Sequence, residues 1–212
     1  VPLKEWAEAD SSLPVFLDND ANCATFAEWK WGAGKGANNL ILLTFGTGIG
    51  GGLVLNGDLY RGSTGTGGEL GHLSIYANGI ECACGHRGCF ERYCSASSIR
   101  KKTGLGARET FQKALNDPKL MKVVDEFLAD LCIALTSLGN VFDPDLIILG
   151  GGVGKGLVPY LDRIRGWVGE HAFPAVRKHM QIVPPHFGNI SGAMGAALLA
   201  ESSVIRLKRI QT

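Results

Sequence analysis

The sequence predicts an α/β fold. Two observations carry that prediction: the continuous apolar runs 39–45 and 145–149 read as buried strands, and they alternate with segments whose apolar residues recur at helical spacing. Strands that alternate with helices build a parallel or mixed sheet. A third observation sets the scale, since 212 residues with 45% hydrophobic content and a formal charge of +1 describe an ordinary globular unit.

The elements follow in order. Residues 14–17 form a short apolar strand ending at Asp18-Asn-Asp20, and 21–31 a helix closed by Gly32 and Gly34. A second strand spans 39–45 and a third spans 51–56, with Asn56-Gly57-Asp58 as the hairpin turn into Leu59-Tyr60. Helices are predicted over 95–102, 109–115 and 118–142. In the longest of these, Leu120, Val124, Phe127, Leu131, Leu135 and Leu138 form one apolar stripe, the mark of a core helix. A strand at 145–149, a helix at 158–171, a strand at 181–183 and a small-residue helix at 192–202 complete the series. The chain carries no internal repeat, low-complexity tract or linker.

Composition excludes several classes. A net charge of +1 gives no basic excess that would attract nucleic acid. No apolar run approaches the roughly 18 residues of a membrane span, and the N-terminus lacks the order of a signal peptide. Six cysteines, three of them clustered, suit a metal site in a reducing cytoplasm better than a secreted disulfide scaffold.

Those three are the most specific feature. Cys82, Cys84 and Cys89 lie in one short segment with Gly85 and Gly88, residues that let a chain fold back around an ion through positive φ. Three thiolates and one imidazole fill the tetrahedral shell of a structural zinc and leave no open position for water activation. The imidazole is His72 or His86. His72 closes the larger ring, whereas His86 would have to bend back within its own loop, so the expected ligand set is His72, Cys82, Cys84 and Cys89. Zinc alone gives no purpose to the flanking Glu69 and Glu91. Cys23, Cys94 and Cys132 are scattered singly and read as small buried hydrophobes.

Two glycine clusters follow strands, where open α/β sheets hold ligands. In Thr44-Phe-Gly46-Thr47-Gly48-Ile-Gly50-Gly-Gly52, uncovered backbone N–H groups and the Thr47 hydroxyl could approach phosphate oxygens. In Gly150-Gly151-Gly152 the strand ends on glycines with a helix to come, so a nucleotide could lie against backbone. Neither cluster has the P-loop order, and tight turns between strands remain an alternative for both. Asp18-Asn19-Asp20-Ala-Asn22 is the remaining polar knot. Asp20 or Asn22 could simply cap a helix, although capping does not need three acids or amides in a row. A carboxylate at a strand end could instead accept a proton from a substrate hydroxyl, as phosphoryl transfer requires.

Taken together, Asp18-Asn-Asp-Ala-Asn-Cys, Thr44-x-Gly-Thr-Gly-x-Gly-Gly-Gly, Gly68-Glu-Leu-Gly-His72, Cys82-x-Cys-Gly-x-x-Gly-Cys-x-Glu91 and Asp143-Pro-Asp-x-Ile-Ile-x-Gly-Gly-Gly152 resemble the ordered motif set of the ROK family of repressors, open reading frames and kinases. The resemblance spans nearly the whole chain. It implies the actin-like ATPase (ribonuclease H-like) fold, in which two lobes close over ATP and a hexose, here with a structural zinc loop.

Carried onto this sequence, the resemblance implies that Asp20 is the general base. Asn19, Glu69, His72 and Glu91 would bind the other sugar hydroxyls, with zinc preorganising the loop that bears them. Gly46, Thr47 and Gly48 would form a phosphate motif, Gly150, Gly151 and Gly152 the adenosine motif, and helix 192–202 the hinge side. ATP with Mg²⁺ is the implied co-substrate. Kinases of this fold begin with a D-x-G-x-T turn that grips phosphates, and the sequence holds no such motif. Residues 1–212 are therefore expected to be the second lobe, inactive alone, with the first lobe absent. The expected activity of the parent is phosphorylation of a hexose, glucose before N-acetylglucosamine, N-acetylmannosamine or fructose. The alternative is the sugar-sensing lobe of a repressor. Self-association into a homodimer is a further expectation.

Overall fold

The computed structural model describes the backbone of residues 1–210 and the side chains of 1–205. Helix α1 (Leu3–Ser11) lies before α2 (Asp20–Trp31), and β1 (Leu40–Phe45), β2 (Ile49–Leu55) and β3 (Asp58–Tyr60) form a meander. There follow α3 (Glu91–Cys94), α4 (Ala96–Thr103), α5 (Ala107–Ala114) and α6 (Pro118–Phe142). The second half of the sheet and its helices are β4 (Leu146–Gly150), α7 (Gly151–Leu157), α8 (Leu161–His171), β5 (Gln181–Val183) and α9 (Ser191–Ile210).

The five strands are ordered β3-β2-β1-β4-β5. β1 pairs antiparallel with β2 and parallel with β4, so the sheet is mixed. The hairpin between β2 and β3 turns on Asn56 (φ 52°) and Gly57 (φ 76°), two left-handed residues of the kind a two-residue hairpin requires. Side chains of the central strands alternate between two cores, which is why these strands read as unbroken apolar runs. Ile41, Leu43, Phe45, Ile147 and Leu149 pack under α5, α6 and α8, while Leu40, Leu42, Leu146 and Ile148 face the α2 side. The result is three layers, with α2 and α9 packed on each other over the second face.

The long core helix forms over the predicted span. Asp117 caps it, accepting from the N–H groups of Lys119 (2.9 Å) and Leu120 (3.4 Å), and Pro118 occupies the first turn where a missing N–H costs nothing. Among the described residues no helix is long and apolar enough to cross a membrane.

Two expectations fail. Residues 14–17 are not a strand: Pro14 has no N–H to offer, the Val15 N–H bonds Glu8 Oε1 (3.1 Å) instead of a ladder, and Phe16 and Leu17 are exposed. The helix expected at 158–171 starts as a 3₁₀ turn, Val158–Tyr160, and becomes α-helical only at Leu161. Before it stands α7, whose Gly151-Gly-Val-Gly-Lys-Gly run argues against helix by propensity. Packing overrides propensity there, because a side chain at Gly154 would meet the Leu149 carbonyl oxygen at 2.6 Å and one at Gly156 the Phe111 ring at 2.7 Å.

Candidate active site

The polar knot sits where α2 begins. Asn19, not Asp20 or Asn22, is the cap: its Oδ1 accepts from the N–H groups of Ala21 (2.8 Å) and Asn22 (3.3 Å). Asp18 is the anchor. It accepts from Asn22 Nδ2 (2.8 Å), from its neighbour's N–H (2.9 Å), and from Arg61 Nε (2.9 Å) and a terminal guanidinium nitrogen (2.6 Å). Burial alone would raise this carboxyl, but the hydrogen bonds from Asn22, Arg61 and the Asn19 N–H outweigh it and hold Asp18 below the usual carboxylate value. Asp20, exposed like Asp18 and Asn19, opens the first turn of α2, and its Oδ1 accepts from the Ala21 N–H (2.8 Å).

Asp20 lines a cavity of about 290 Å³ with Thr44, Gly150, Gly151, Asn189 and Gly192. This is the carboxyl end of the parallel pair β1 and β4, where Thr44 stands opposite Gly150 in register. A larger cavity, about 750 Å³, opens beside it and is lined by Gly46, Thr47, Gly152, Lys155 and Asn189 with the α5 face of Arg108 and Gln112. The two glycine clusters thus meet at adjoining hollows. Not every glycine serves them. Gly51 is needed because a side chain would run into the Gly68 carbonyl, and Gly52 because one would run into Thr25. Gly50 and Gly52 face α2 whereas Gly51 faces the turn carrying Glu69 and His72, so β2 lies between the helix opened by Asp20 and that turn. Gly48 belongs to neither hollow and faces the Glu91 carboxylate.

The second group of predicted residues is the thiol cluster. One ligand atom from each of His72, Cys82, Cys84 and Cys89 lies within 4.8 Å of all the others. His72 Nδ1 is 3.7 Å from Cys82 Sγ, and Cys84 Sγ is 3.5 Å from Cys89 Sγ. A tetrahedral zinc with ordinary bond lengths needs ligand separations of about 3.5 to 3.8 Å, so the cluster fits the ion. His86 enters the loop through its backbone, its carbonyl accepting from the Cys82 N–H (2.8 Å). The loop folds back at Gly85 (φ 91°) and Gly88 (φ 76°) as the sequence requires.

Charge tells the same story. The His86 N–H draws the Cys84 thiol down to about 7, while burial and the neighbouring thiols push Cys89 up to about 12. Three sulfurs this close cannot all ionise unless a cation stands between them. Glu91 approaches this group, its Oε1 3.3 Å from Cys82 Sγ and 3.9 Å from His72 Nδ1, and His72 Nε2 lies 4.0 Å from Glu69 Oε2. The loop is tied to the core by Tyr76, whose hydroxyl donates to Asp130 on α6 (2.6 Å) and is pushed up to about 12 by that bond and by burial.

The chain is similar to known proteins. The ROK family profile matches residues 1–203. The chain belongs to the ROK family. It is 35% identical to a glucokinase of Halalkalibacterium halodurans over 94% of its own length and 67% of that protein, and 33% identical to a xylose repressor of Bacillus spizizenii over 92% and 52%. Its structure matches a ROK hexokinase from Thermus thermophilus with a TM-score of 0.85 at 34% identity, covering 97% of this chain and 71% of that one. The actin-like ATPase fold is therefore that of its ROK relatives. The chain spans about two thirds of the glucokinase and about half of the repressor.

Several residues of this ROK domain escaped the sequence reading. Arg61, which fixes Asp18, lies in a glycine-rich stretch with no periodicity to mark it. Asp145 looked like the start of a strand but accepts from the N–H groups of Asn38 (2.8 Å) and Asn39 (2.9 Å), aligning β1 with β4. Glu28 is fully buried on α2, and the signal for it was an acid at the end of an otherwise apolar helical stretch, Ala21-Asn-Cys-Ala-Thr-Phe-Ala27.

Proposed function

We propose that residues 1–212 are the second lobe of a kinase that transfers the γ-phosphoryl group of ATP to a hexose hydroxyl, with glucose as the first candidate. The observation that carries this reading is the position of Asp20: an exposed carboxylate at the carboxyl ends of β1 and β4, in the same hollow as Gly150 and Gly151 and next to the larger cavity bounded by Gly46, Thr47 and Gly152. Identity of 35% to a glucokinase supports it.

In this reading Asp20 accepts the proton of the attacking hydroxyl, which raises its nucleophilicity as the bond to the γ-phosphorus forms. The Gly46 N–H already donates to the Gly48 carbonyl (2.9 Å), so the Thr47 N–H and hydroxyl receive phosphate oxygens beside a Gly46 that has no side chain to obstruct them, and the Gly150, Gly151 and Gly152 turn lets the nucleoside lie against backbone. Gly48 also leaves room for the Glu91 carboxylate, which a side chain there would meet. Glu69 and Glu91 accept from vicinal sugar hydroxyls, each with two oxygens. His72 divides its nitrogens, Nδ1 toward the sulfurs and Nε2 toward the sugar side where Glu69 lies. Asn19, its Oδ1 spent on capping α2, has its amide nitrogen to offer the substrate. A zinc ion held by His72, Cys82, Cys84 and Cys89 would supply a structural cross-link that fixes this acidic loop. The D-x-G-x-T turn that completes the phosphate grip belongs to a first lobe, so these 212 residues alone give no turnover.

A second reading, the sugar-sensing lobe of a repressor, is favoured by the 33% identity to a xylose repressor. One assay separates the two. The full-length protein is given Mg-ATP and a panel of glucose, N-acetylglucosamine, N-acetylmannosamine and fructose. Hexose-dependent ADP release, fastest with glucose, is expected. Sugar binding without ADP release from any of them would contradict the kinase, and ADP release from the 212-residue chain alone would contradict the two-lobe requirement.

A further inference from the structure

Glu28 sits on the third turn of α2, fully buried, and every group that points at its carboxylate is a donor. Oε2 accepts from the backbone N–H groups of His186 (2.9 Å) and Ala33 (3.1 Å), and Oε1 from that of Phe187 (2.8 Å). The Ser191 hydroxyl lies 3.0 Å from Oε1 and 2.8 Å from the Gly188 carbonyl, between which it shares its proton. Space is kept for the carboxylate by Gly32, where a side chain would collide with Oε2. An acid buried this deeply costs far more than the alanine or leucine that would otherwise fill an α2 core position, so its donors need to accomplish something.

What they hold is the segment 185–192. Pro185, Gly188, Asn189, Ser191 and Gly192 line the hollow that contains Asp20, and Asn189 also lines the larger cavity. Gly188 turns there at a φ of 61°, against the Lys155 side chain of the larger cavity. The wall shared by the two hollows is thus tied to the helix that begins with Asp20, through one side chain.

We propose that Glu28 is a positioning residue for the nucleotide: it fixes the 185–192 wall relative to α2, so that the phosphate end of the nucleotide is held in register with Asp20. The inference rests on the nucleotide reading of the larger cavity. Glu28→Gln keeps the shape but turns one oxygen into an N–H donor facing N–H donors, which releases at least one strand of the tie.

The test is calorimetric titration of the full-length protein with Mg-AMPPNP, at a temperature well below the melting point of each variant. Wild type is expected to bind, Glu28→Gln to bind about tenfold more weakly, and Ser191→Ala, which removes a single donor, to fall between them. A residue that only stabilised the fold would lower the melting point and leave the affinity of the folded protein unchanged. Equal affinity in wild type and Glu28→Gln would overturn the proposal. If Glu28→Gln does not fold, Ser191→Ala decides alone, and wild-type affinity there would overturn it. A full-length wild-type protein that binds no nucleotide would refute the cavity assignment itself and this proposal with it, whereas binding that survives Glu28→Gln refutes only the role of Glu28.

Discussion

Replacing Gly195 with alanine should lower stability, although alanine is the better helix former. Gly195 lies on α9 against α2, and a Cβ there would overlap the carbonyl oxygen of Cys23. That obstacle is backbone inside a helix, so it cannot rotate away and the helices must separate. Overpacking a close contact costs about 1 to 3 kcal/mol, and a backbone clash belongs at the upper end. Helix propensity returns about 1 kcal/mol, leaving a net loss of about 2 kcal/mol. For a chain of this size that corresponds to a melting temperature lower by about 4 to 8 °C. Gly166 and Gly169 on α8 provide the control, because a Cβ at either meets nothing within 4 Å. There the same substitution should raise the melting point by a few degrees, propensity acting alone. Thermal melts followed by far-UV circular dichroism decide the matter. A Gly195→Ala chain that melts at or above wild type would refute the close packing of α2 on α9, and with it the account of how the helix bearing Asp20 is seated.

Stripping metal with a chelator, or replacing the buried Cys89 with serine, should lower the melting temperature and the hexose affinity together, since loop folding and ion binding are one equilibrium. Elemental analysis with sugar titration reads both, and affinity that survives the loss of zinc would contradict the preorganisation argument. Asp18 gives a pH dependence of defined sign. Its carboxyl is held below the usual 3.8, so its contribution is present above that value and lost as pH falls through the folded value. The gap in melting temperature between wild type and Asp18→Asn should therefore be constant near neutrality and shrink in acid. A gap that widens in acid would contradict the hydrogen-bonded anchor.

How legible was the molecule? The central strands and the long core helix stood out because burial on both sheet faces leaves an unbroken apolar run and a single apolar stripe leaves a period of 3.6 in the residues themselves. The thiol cluster was legible because three cysteines and a histidine at such spacing suit a metal, and the structure brings the ligand atoms of Cys82, Cys84, Cys89 and His72 within 4.8 Å of one another. Helix α7 was hidden, since its glycines serve contacts with Leu149 and Phe111 that only the assembled sheet creates. The run at 14–17 misled for the complementary reason: its apolar residues look like a strand, yet Pro14 and the bond from Val15 to Glu8 deny it a ladder. Glycine clusters were read for ligands when half of their purpose is packing, as Gly51 and Gly52 demonstrate on opposite faces of β2. Glu28 was out of reach because its partners His186, Phe187 and Ser191 lie more than 150 positions away in sequence, and a buried acid declares itself only when its donors are seen.

The most direct trial of the proposed chemistry is the Asp20→Ala substitution in the full-length protein, with glucose binding and glucose-dependent ADP release measured on the same preparation. Loss of turnover by about 10² to 10⁴-fold, with sugar affinity retained, is the outcome expected of a base that acts on a bound hydroxyl. Turnover within a few-fold of wild type would contradict it.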